Sequence, residues 1–280
     1  MATRREIYNQ LYSVASELYD EGEARQIAEM LLLAKGNISR NDLIIEPNRE
    51  ISIEDLDAII AELRNWRPVQ YIIGHADFRD IELTVREGVL IPRPETEELV
   101  EWITYNSPKG ATILDIGTGS GAIAIALSRE VESSHVWAMD ISQDALAIAR
   151  ENGMHHAPNV IFVEGDALAD FDTLFNEQFD VVVSNPPYIP QSDEELMRKN
   201  VLDFEPSTAL FVPDNDPLLF YRSIVRTSKK ILKRGGKLYF EIYELLASEM
   251  IAMLTDEGYS DITLREDFRG KPRMICATLQ

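Results

Sequence analysis

The tetrapeptide Asn185-Pro186-Pro187-Tyr188 combines the residue types needed to bind a planar amino group. An Asn side-chain oxygen and a nearby backbone carbonyl together accept both hydrogens of an –NH2 group, while a Tyr ring covers its face. The two prolines have fixed backbone angles and no N–H groups, so their carbonyls are preset acceptors. The pattern favours an amide or an exocyclic amine as the bound group, and the alternative is a turn that only ends a strand.

A glycine-rich turn lies upstream, directly after the apolar run 113–116 that contains Asp115. Glycines let the chain turn sharply and let a ligand approach the backbone, and the helix that follows offers unpaired N–H groups. By itself such a turn also fits a dinucleotide. The residues of the turn are Gly117, Thr118, Gly119, Ser120 and Gly121.

Acidic residues end the next two strand-like runs. Asp140 closes the run 136–140, about where nucleotide-binding sheets place the acceptor of a ribose diol. Asp166 follows the run 160–163 and is predicted to accept the amino group of adenine. The alternative for each acid is a solvated loop charge or a helix cap, but their recurrence at successive strand ends favours a shared site.

Together these motifs resemble the S-adenosylmethionine-dependent methyltransferases that modify amides and exocyclic amines. The segments 67–74 and 89–97, Arg-Pro-Val-Gln-Tyr-Ile-Ile-Gly and Val-Leu-Ile-Pro-Arg-Pro-Glu-Thr-Glu, narrow the resemblance to the HemK/PrmC family of protein-(glutamine-N5) methyltransferases. The resemblance extends from about residue 5 to the end of the chain. It implies an α/β fold, Rossmann-like, with a mostly parallel seven-stranded sheet and a small N-terminal helical domain.

The resemblance also implies a reaction and its partners. S-adenosylmethionine is the expected methyl donor, S-adenosylhomocysteine the product, and the glutamine of the Gly-Gly-Gln motif of class I peptide chain release factors the acceptor. Asn185, Pro186 and Tyr188 are predicted to be catalytic, and with Pro187 they are predicted to hold the glutamine. The predicted cofactor-binding residues are Asp115, Gly117, Thr118, Gly119, Ser120, Gly121, Asp140, Asp166, Ala167, Asn185 and Thr96.

Two of these assignments have specific alternatives or departures. Thr96 stands in the predicted first turn of a helix, where it approaches the amino-acid end of the cofactor or, alternatively, belongs to the helix cap. Ala167 occupies a position where members of the family often have an aromatic residue against adenine. The segment 241–246, Glu-Ile-Tyr-Glu-Leu-Leu, departs from the family pattern, so no role is assigned to it.

Composition sets independent limits. The 280 residues include 27 Lys and Arg against 48 Asp and Glu, a net charge of −21 that disfavours binding to nucleic acid phosphates. A protein substrate is therefore favoured over the alternative substrate, the exocyclic amines of nucleic-acid bases. The single cysteine, Cys276, excludes an intramolecular disulfide, and no His, Cys and Asp cluster has metal-ligand spacing. We expect a cytoplasmic protein with neither a signal peptide nor a membrane span.

The predicted domain boundaries are 1–66 for a helical substrate-recognition domain, 67–90 for a hairpin connector and 91–280 for the catalytic domain. The alternative role for the helical domain is a lid that only stabilises the catalytic domain. The polar segment 189–211 is predicted to form a wall of the glutamine site, with a solvated loop as the alternative. Ser52 is predicted to cap a helix, and Gly235 and Gly236 to end one.

Overall fold

The apolar runs of the chain become the central strands of one sheet, because side chains on both faces of these runs are buried. The run 113–116 and the run 181–184 are buried throughout. The computed structural model describes residues 2–280. Its strands are β1 (Ala2–Thr3), β2 (Glu50–Ile51), β3 (His75–Phe78), β4 (Ile81–Thr84), β5 (Thr112–Ile116), β6 (His135–Asp140), β7 (Ile161–Glu164), β8 (Phe179–Ser184), β9 (Ile189–Pro190), β10 (Phe211–Val212), β11 (Leu232–Glu241), β12 (Tyr259–Glu266) and β13 (Pro272–Leu279).

Helices cover the sheet and make up most of the N-terminal part of the chain. Short 3-10 helices are present as well, at Phe171–Leu174, Gln191–Leu196, Ser207–Ala209 and Glu244–Leu246. The α-helices are α1 (Arg4–Ala15), α2 (Glu21–Gly36), α3 (Arg40–Ile45), α4 (Leu56–Arg64), α5 (Val69–Ile73), α6 (Pro94–Asn106), α7 (Ala122–Glu130), α8 (Gln143–His156), α9 (Lys199–Leu202), α10 (Leu219–Ile231) and α11 (Ala247–Asp256).

The main sheet has seven strands in the order β12-β13-β11-β8-β5-β6-β7. Pairing is parallel from β7 through β11, whereas β13 runs antiparallel to both β11 and β12. The predicted mostly parallel seven-stranded sheet is therefore confirmed. The chain builds outward from β5 to β7 and then returns to place β8 on the other side of β5.

The two faces of the sheet bury separate apolar clusters, because successive side chains of a strand point to opposite faces. Ile113 and Val183 belong to the cluster that includes side chains of α6 and α7. Leu114 and Val182 belong to the other cluster, which includes side chains of α10. This alternation fixes the pairing register, since a slip by one residue would exchange the two faces.

The chain folds as two compact units, and the first is mostly helical. It extends to residue 75 and includes the segment 197–205, while the second comprises 76–196 and 206–280. Thr3 and Glu6 form a capping box at the start of α1, and Asp20 caps α2 by accepting two N–H groups. Helices α1, α2, α4 and α5 bury one apolar cluster. None of the helices within residues 2–280 combines the length and apolar character required to span a membrane.

The start of α4 differs from the prediction. The helix begins at Leu56 and its N-cap is Asp55, so the prediction that Ser52 caps it is wrong. Asp55 has a left-handed backbone with φ 53° and makes no side-chain cap hydrogen bond. Asp tolerates that conformation better than most residues, which lets a turn precede the helix and delay its start.

The prediction that glycines end the helix before β11 is also wrong. Helix α10 ends at Ile231, and Gly235 and Gly236 lie within β11, where its register with β8 shifts. An added Cβ at Gly236 would lie 3.1 Å from the carbonyl oxygen of Phe179. The glycines therefore permit a bulge close to the neighbouring strand rather than a helix end.

Asn152, a buried residue of α8, joins the hairpin β3–β4 to the turn that follows β5. Its Oδ1 accepts the N–H of Thr84 at 2.8 Å, and its Nδ2 donates to the carbonyls of Thr84 at 3.0 Å and Ser120 at 2.9 Å. Only 1% of Asn152 is exposed. A buried amide satisfied in this way stabilises the fold, because its loss would leave buried backbone groups without partners.

We expect Asn152→Ala to lower the free energy of unfolding by about 3 kcal/mol, since three buried hydrogen bonds disappear. Chemical denaturation followed by circular dichroism measures the change. Asn159→Ala is the matched control, because Asn159 is exposed shortly after the same helix and should change stability little. Equal stability of the two variants would contradict this role for Asn152.

Candidate functional site

The site lies where the direction of the chain across the sheet reverses. β5 and β8 are parallel neighbours, although β6 and β7 lie between them in the sequence. Ile116 pairs with Ser184, and Ser184 Oγ donates to the carbonyl of Ile116 at 2.7 Å. Gly117 and Asn185, the next residues, therefore leave the sheet side by side, at the position where open α/β sheets bind ligands.

The glycine turn after β5 passes under the end of β6. Gly117, Gly119 and Gly121 have φ angles of 74°, 56° and 86°, a region that favours glycine. The N–H groups of Gly117 and Thr118 donate to the carbonyl of Met139 at 2.8 and 3.0 Å. This backbone course explains the glycine spacing and places Gly117 and Gly119 on a cavity described below.

Asp115 is fully buried at the end of β5. Its Oδ2 accepts the hydroxyl of Thr118 at 2.6 Å. Burial raises the pKa of Asp115 to about 7, although hydrogen bonds from Thr118 and from the N–H of Ala124 lower it. The carboxyl thus fixes the start of the glycine turn from inside the protein.

Asp140 at the end of β6 presents a carboxylate held by backbone groups. Gly119 N–H donates to Oδ2 and Ser142 N–H donates to Oδ1, both at 2.9 Å. Burial raises the pKa of Asp140, and the two N–H groups act in the opposite direction. A carboxylate has about four acceptor positions, so each oxygen retains capacity for a further donor.

The segment after β7 is fixed by close packing. Gly165 donates its N–H to the carbonyl of Asp140 at 3.0 Å, and an added Cβ would lie 2.5 Å from Met139 Sδ. Asp166 Oδ1 accepts the N–H of Leu168 at 2.8 Å, while the carbonyl of Ala167 accepts a hydroxyl hydrogen. A side chain at position 165 would therefore have to displace the side chains of Met139 and Leu174.

A cavity of about 500 Å³ opens at these strand ends. Eight of the predicted site residues line it, and so do Pro206 and Thr208 from the segment 189–211 that was predicted to form a wall, whereas the sequence analysis missed Phe220. The eight are Gly117, Gly119, Asp140, Asp166, Ala167, Asn185, Pro186 and Pro187. Its lining does not include Thr96, Asp115, Thr118, Ser120, Gly121 or Tyr188.

The ring of Tyr188 is held on two sides. Its ring stacks on that of Tyr243 with centroids 6.2 Å apart, and its hydroxyl donates to Glu241 Oε1 at 3.0 Å. Burial and the neighbouring Glu241 raise the pKa of Tyr188, so the phenol remains protonated. Tyr243 in turn donates to Asp193 Oδ2 at 2.7 Å.

Thr96 connects α6 to the tetrapeptide. The first turn of α6 has no side-chain cap hydrogen bond, and the buried Thr96 hydroxyl donates instead to Glu241 Oε2 at 2.6 Å. Asn185 Nδ2 donates to Thr96 Oγ1 at 3.4 Å. The sequence analysis missed Glu241, yet an acid at the end of a strand is the same signal that identified Asp140.

Comparison with protein families gives two matches. Residues 94–203 match the methyltransferase small domain, and residues 11–74 match the PrmC N-terminal domain. The first range contains β5 to β8 and the tetrapeptide. The second lies within the helical unit.

Curated relatives match most of the chain. It is 39% identical over 274 residues to the release factor glutamine methyltransferase of Flavobacterium psychrophilum, covering 95% of both chains. It is 45% identical over 223 residues to the enzyme of the same name from Bacteroides thetaiotaomicron, covering 80% of both. The one from Streptococcus pneumoniae is 42% identical over 239 residues, 83% of this chain and 84% of that protein.

Solved structures share the fold at low sequence identity. A methyltransferase from Pyrococcus furiosus superposes with a TM-score of 0.53 at 18% identity, covering 70% of this chain and 87% of that one. A ribosomal protein L11 methylase from Lactobacillus delbrueckii subsp. bulgaricus gives a TM-score of 0.50 at 19% identity, covering 73% and 90%. The sheet is thus that of the methyltransferase fold.

The raised pKa of Asp115 makes its contribution to stability depend on pH. Below about pH 4 the carboxyl is protonated in both folded and unfolded chains, whereas between about 4 and 7 only the unfolded chain ionises. This contribution therefore falls as pH rises toward 7 and then stays constant.

We expect Asp115→Asn, measured without added ligand, to gain stability relative to the wild type as pH rises from 4 to 7. The shift to about 7 corresponds to a gain of roughly 4 kcal/mol. Denaturation at several pH values measures the difference. Asp256→Asn, at an exposed residue, should show a flat difference. A flat profile for Asp115→Asn as well would mean that folding does not raise the pKa of Asp115.

Proposed function

Because the chain belongs to the release factor glutamine methyltransferase family, we propose that it transfers a methyl group from S-adenosylmethionine to the side-chain amide nitrogen of the glutamine in the Gly-Gly-Gln motif of class I peptide chain release factors. One observation carries the proposal. Asn185, Pro186 and Pro187, the residues proposed to bind the amide, line the same cavity as the acids Asp140 and Asp166.

The cavity fits the cofactor in size and polarity. Its volume of about 500 Å³ is within the range of small-molecule sites. Asp140 retains acceptor capacity for a ribose diol, and we propose that Asp166, which lines the same cavity as Ala167, accepts from the adenine amino group. The glycine turn from Gly117 to Gly121, with Thr118 and Ser120, leaves room for a ligand close to the backbone, and Asp115 supports it from below.

The chain's own residues would prepare a poor nucleophile. The lone pair of an amide nitrogen is delocalised into its carbonyl, so the amide must be oriented before it reacts. Asn185 Oδ1 and the carbonyl of Pro186 accept the two amide hydrogens, while Tyr188, which does not line the cavity, holds the end of the tetrapeptide through its hydrogen bond to Glu241. Bound S-adenosylmethionine supplies an electrophilic methyl group.

These acceptors act most strongly in the transition state. Positive charge grows on the glutamine nitrogen as the new N–C bond forms and the S–CH3 bond breaks, and Asn185 Oδ1 and the Pro186 carbonyl stabilise that charge. The nitrogen then releases a proton to solvent. No general base has to remove that proton in advance.

The charge of the protein favours a protein substrate over a nucleic acid. A net charge of −21 repels phosphate backbones and attracts basic loops. We propose that the helical unit, which matches the PrmC N-terminal domain, contributes to recognition of the release factor, and that the reaction takes place in the cytoplasm. The alternative, methylation of exocyclic amines in nucleic-acid bases, has no support from the curated relatives.

The assignment predicts which substrate becomes methylated. Purified protein incubated with methyl-labelled S-adenosylmethionine should label a class I release factor on the glutamine of its Gly-Gly-Gln motif, as located by mass spectrometry. A release factor whose glutamine is replaced by alanine should remain unlabelled. Labelling of duplex or single-stranded DNA in place of the release factor would overturn the assignment.

We expect Asn185→Ala to lower kcat by roughly 100-fold or more, because a preorganised polar contact to the reacting group is lost. Its Kd for S-adenosylmethionine, measured by calorimetry, should change little. Asp140→Asn should instead raise the Kd for S-adenosylmethionine, since it weakens cofactor binding. Unchanged turnover in Asn185→Ala would refute its assigned role.

A further inference from the structure

Glu241 is a buried acid whose two carboxylate oxygens both accept hydroxyl hydrogens. It lies at the end of β11 with 2% of its surface exposed. Thr96 Oγ1 donates to Oε2 at 2.6 Å, and Tyr188 Oη donates to Oε1 at 3.0 Å. One carboxylate thus joins the helix before β5, the tetrapeptide after β8 and the strand β11.

The hydrogen bonds determine where the Thr96 hydroxyl donates and where it accepts. A hydroxyl has one hydrogen and two acceptor positions, and the hydrogen of Thr96 is committed to Glu241. Thr96 Oγ1 therefore faces Asn185 as an acceptor, which matches the donation from Asn185 Nδ2 at 3.4 Å. Exchange of the Asn185 oxygen and nitrogen would place two acceptors against each other.

We propose that Glu241 is a positioning residue that fixes the side-chain amide of Asn185 through Thr96, so that Nδ2 faces the protein and Oδ1 is left for the substrate. The same carboxylate holds the hydroxyl of Tyr188. This inference rests on the proposed function, in which Asn185 Oδ1 accepts a hydrogen of the glutamine amide. We call the series of hydrogen bonds that links Glu241, Thr96 and Asn185 the amide relay.

The amide relay determines which substrate groups the site accepts. With Oδ1 toward the cavity, Asn185 can accept a hydrogen bond from an –NH2 group of the substrate. It cannot donate one to a carboxylate oxygen of the substrate. A flipped amide would set donor against donor at the glutamine nitrogen. The relay thus selects an amide over the isosteric glutamate side chain.

The acceptor character of Glu241 depends on its neighbours. Burial raises its pKa, and the hydrogen bonds from Thr96 and Tyr188 and the charge of Arg273 act in the opposite direction. In the structure each carboxylate oxygen accepts one of these two hydrogen bonds. A glutamine at this position has one acceptor oxygen and one donor nitrogen, so one of the two hydroxyls must reorient.

The reorientation in Glu241→Gln reaches Asn185 when the new donor faces Thr96. Thr96 must then accept from the glutamine, and its hydrogen turns toward Asn185. That hydrogen needs an acceptor, so Oδ1 rotates away from the cavity. In that orientation the variant weakens turnover without changing the volume of the site.

The test uses full-length variants in steady-state kinetics with a release factor. We expect Glu241→Gln and Thr96→Val each to lower kcat by roughly 10- to 100-fold while KM for the release factor changes little, because the reacting amide is bound but misoriented. Thr96→Ser, which keeps the hydroxyl, should restore most of the rate. Glu249→Gln, at an exposed acid of α11, is the matched control.

A double variant tests whether the two residues act in series. Adding Glu241→Gln to Thr96→Val should lower kcat only slightly further, since the path from Glu241 to Asn185 is already broken. If the fold-losses in kcat of the two single variants multiply in the double variant, the relay is contradicted. A wild-type kcat for both Glu241→Gln and Thr96→Val, or a loss of cofactor affinity that accounts for their lower rates, would also overturn it.

A second measurement separates this inference from the proposed function. The side-chain NH2 signals of Asn185, assigned by their loss in Asn185→Ala, report its hydrogen bond in nuclear magnetic resonance spectra without any substrate. We expect them to shift in Glu241→Gln and Thr96→Val but not in Glu249→Gln. Unshifted signals would overturn the relay, whereas an inactive wild type with shifted signals would reject only the proposed function.

Discussion

The parallel pairing of β5 with β8 is the constraint on which the site depends. It places the glycine turn and the tetrapeptide at adjacent strand ends. Ile116 lies opposite Ser184, and the Ser184 hydroxyl donates a hydrogen bond to the Ile116 carbonyl. Apolar side chains on both faces of these strands fix the register. Without that register, the acids of β6 and β7 would not share a cavity with Asn185.

Much of this arrangement was predictable, because strand ends carry local signals. Apolar runs followed by an acid or glycines mark β5, β6 and β7, and prolines mark the end of β8. In parallel strands those ends meet at one edge, so Asp140, Asp166 and Asn185 line one cavity. Tertiary packing was not predictable in this way, as the late start of α4 and the glycine bulge in β11 show.

The contacts that sequence reasoning missed join residues far apart in the chain. Thr96 and Glu241 are separated by 145 positions, and Asn152 bonds Thr84 across 68 positions. No periodicity or spacing rule links such pairs, since each depends on which helix covers which strand. A buried acid at a strand end is the one local sign of Glu241, and its partners follow only from the fold.

The shared carboxylate of Glu241 has an evolutionary consequence. Two hydroxyls depend on one acid, and removal of any member leaves a buried polar group without its partner. Selection should therefore remove single replacements at positions 96, 188 or 241. Compensating replacements at two or three of these positions should be retained together. Covariation among these positions, rather than invariance of each alone, is the expected signature in descendants of this fold.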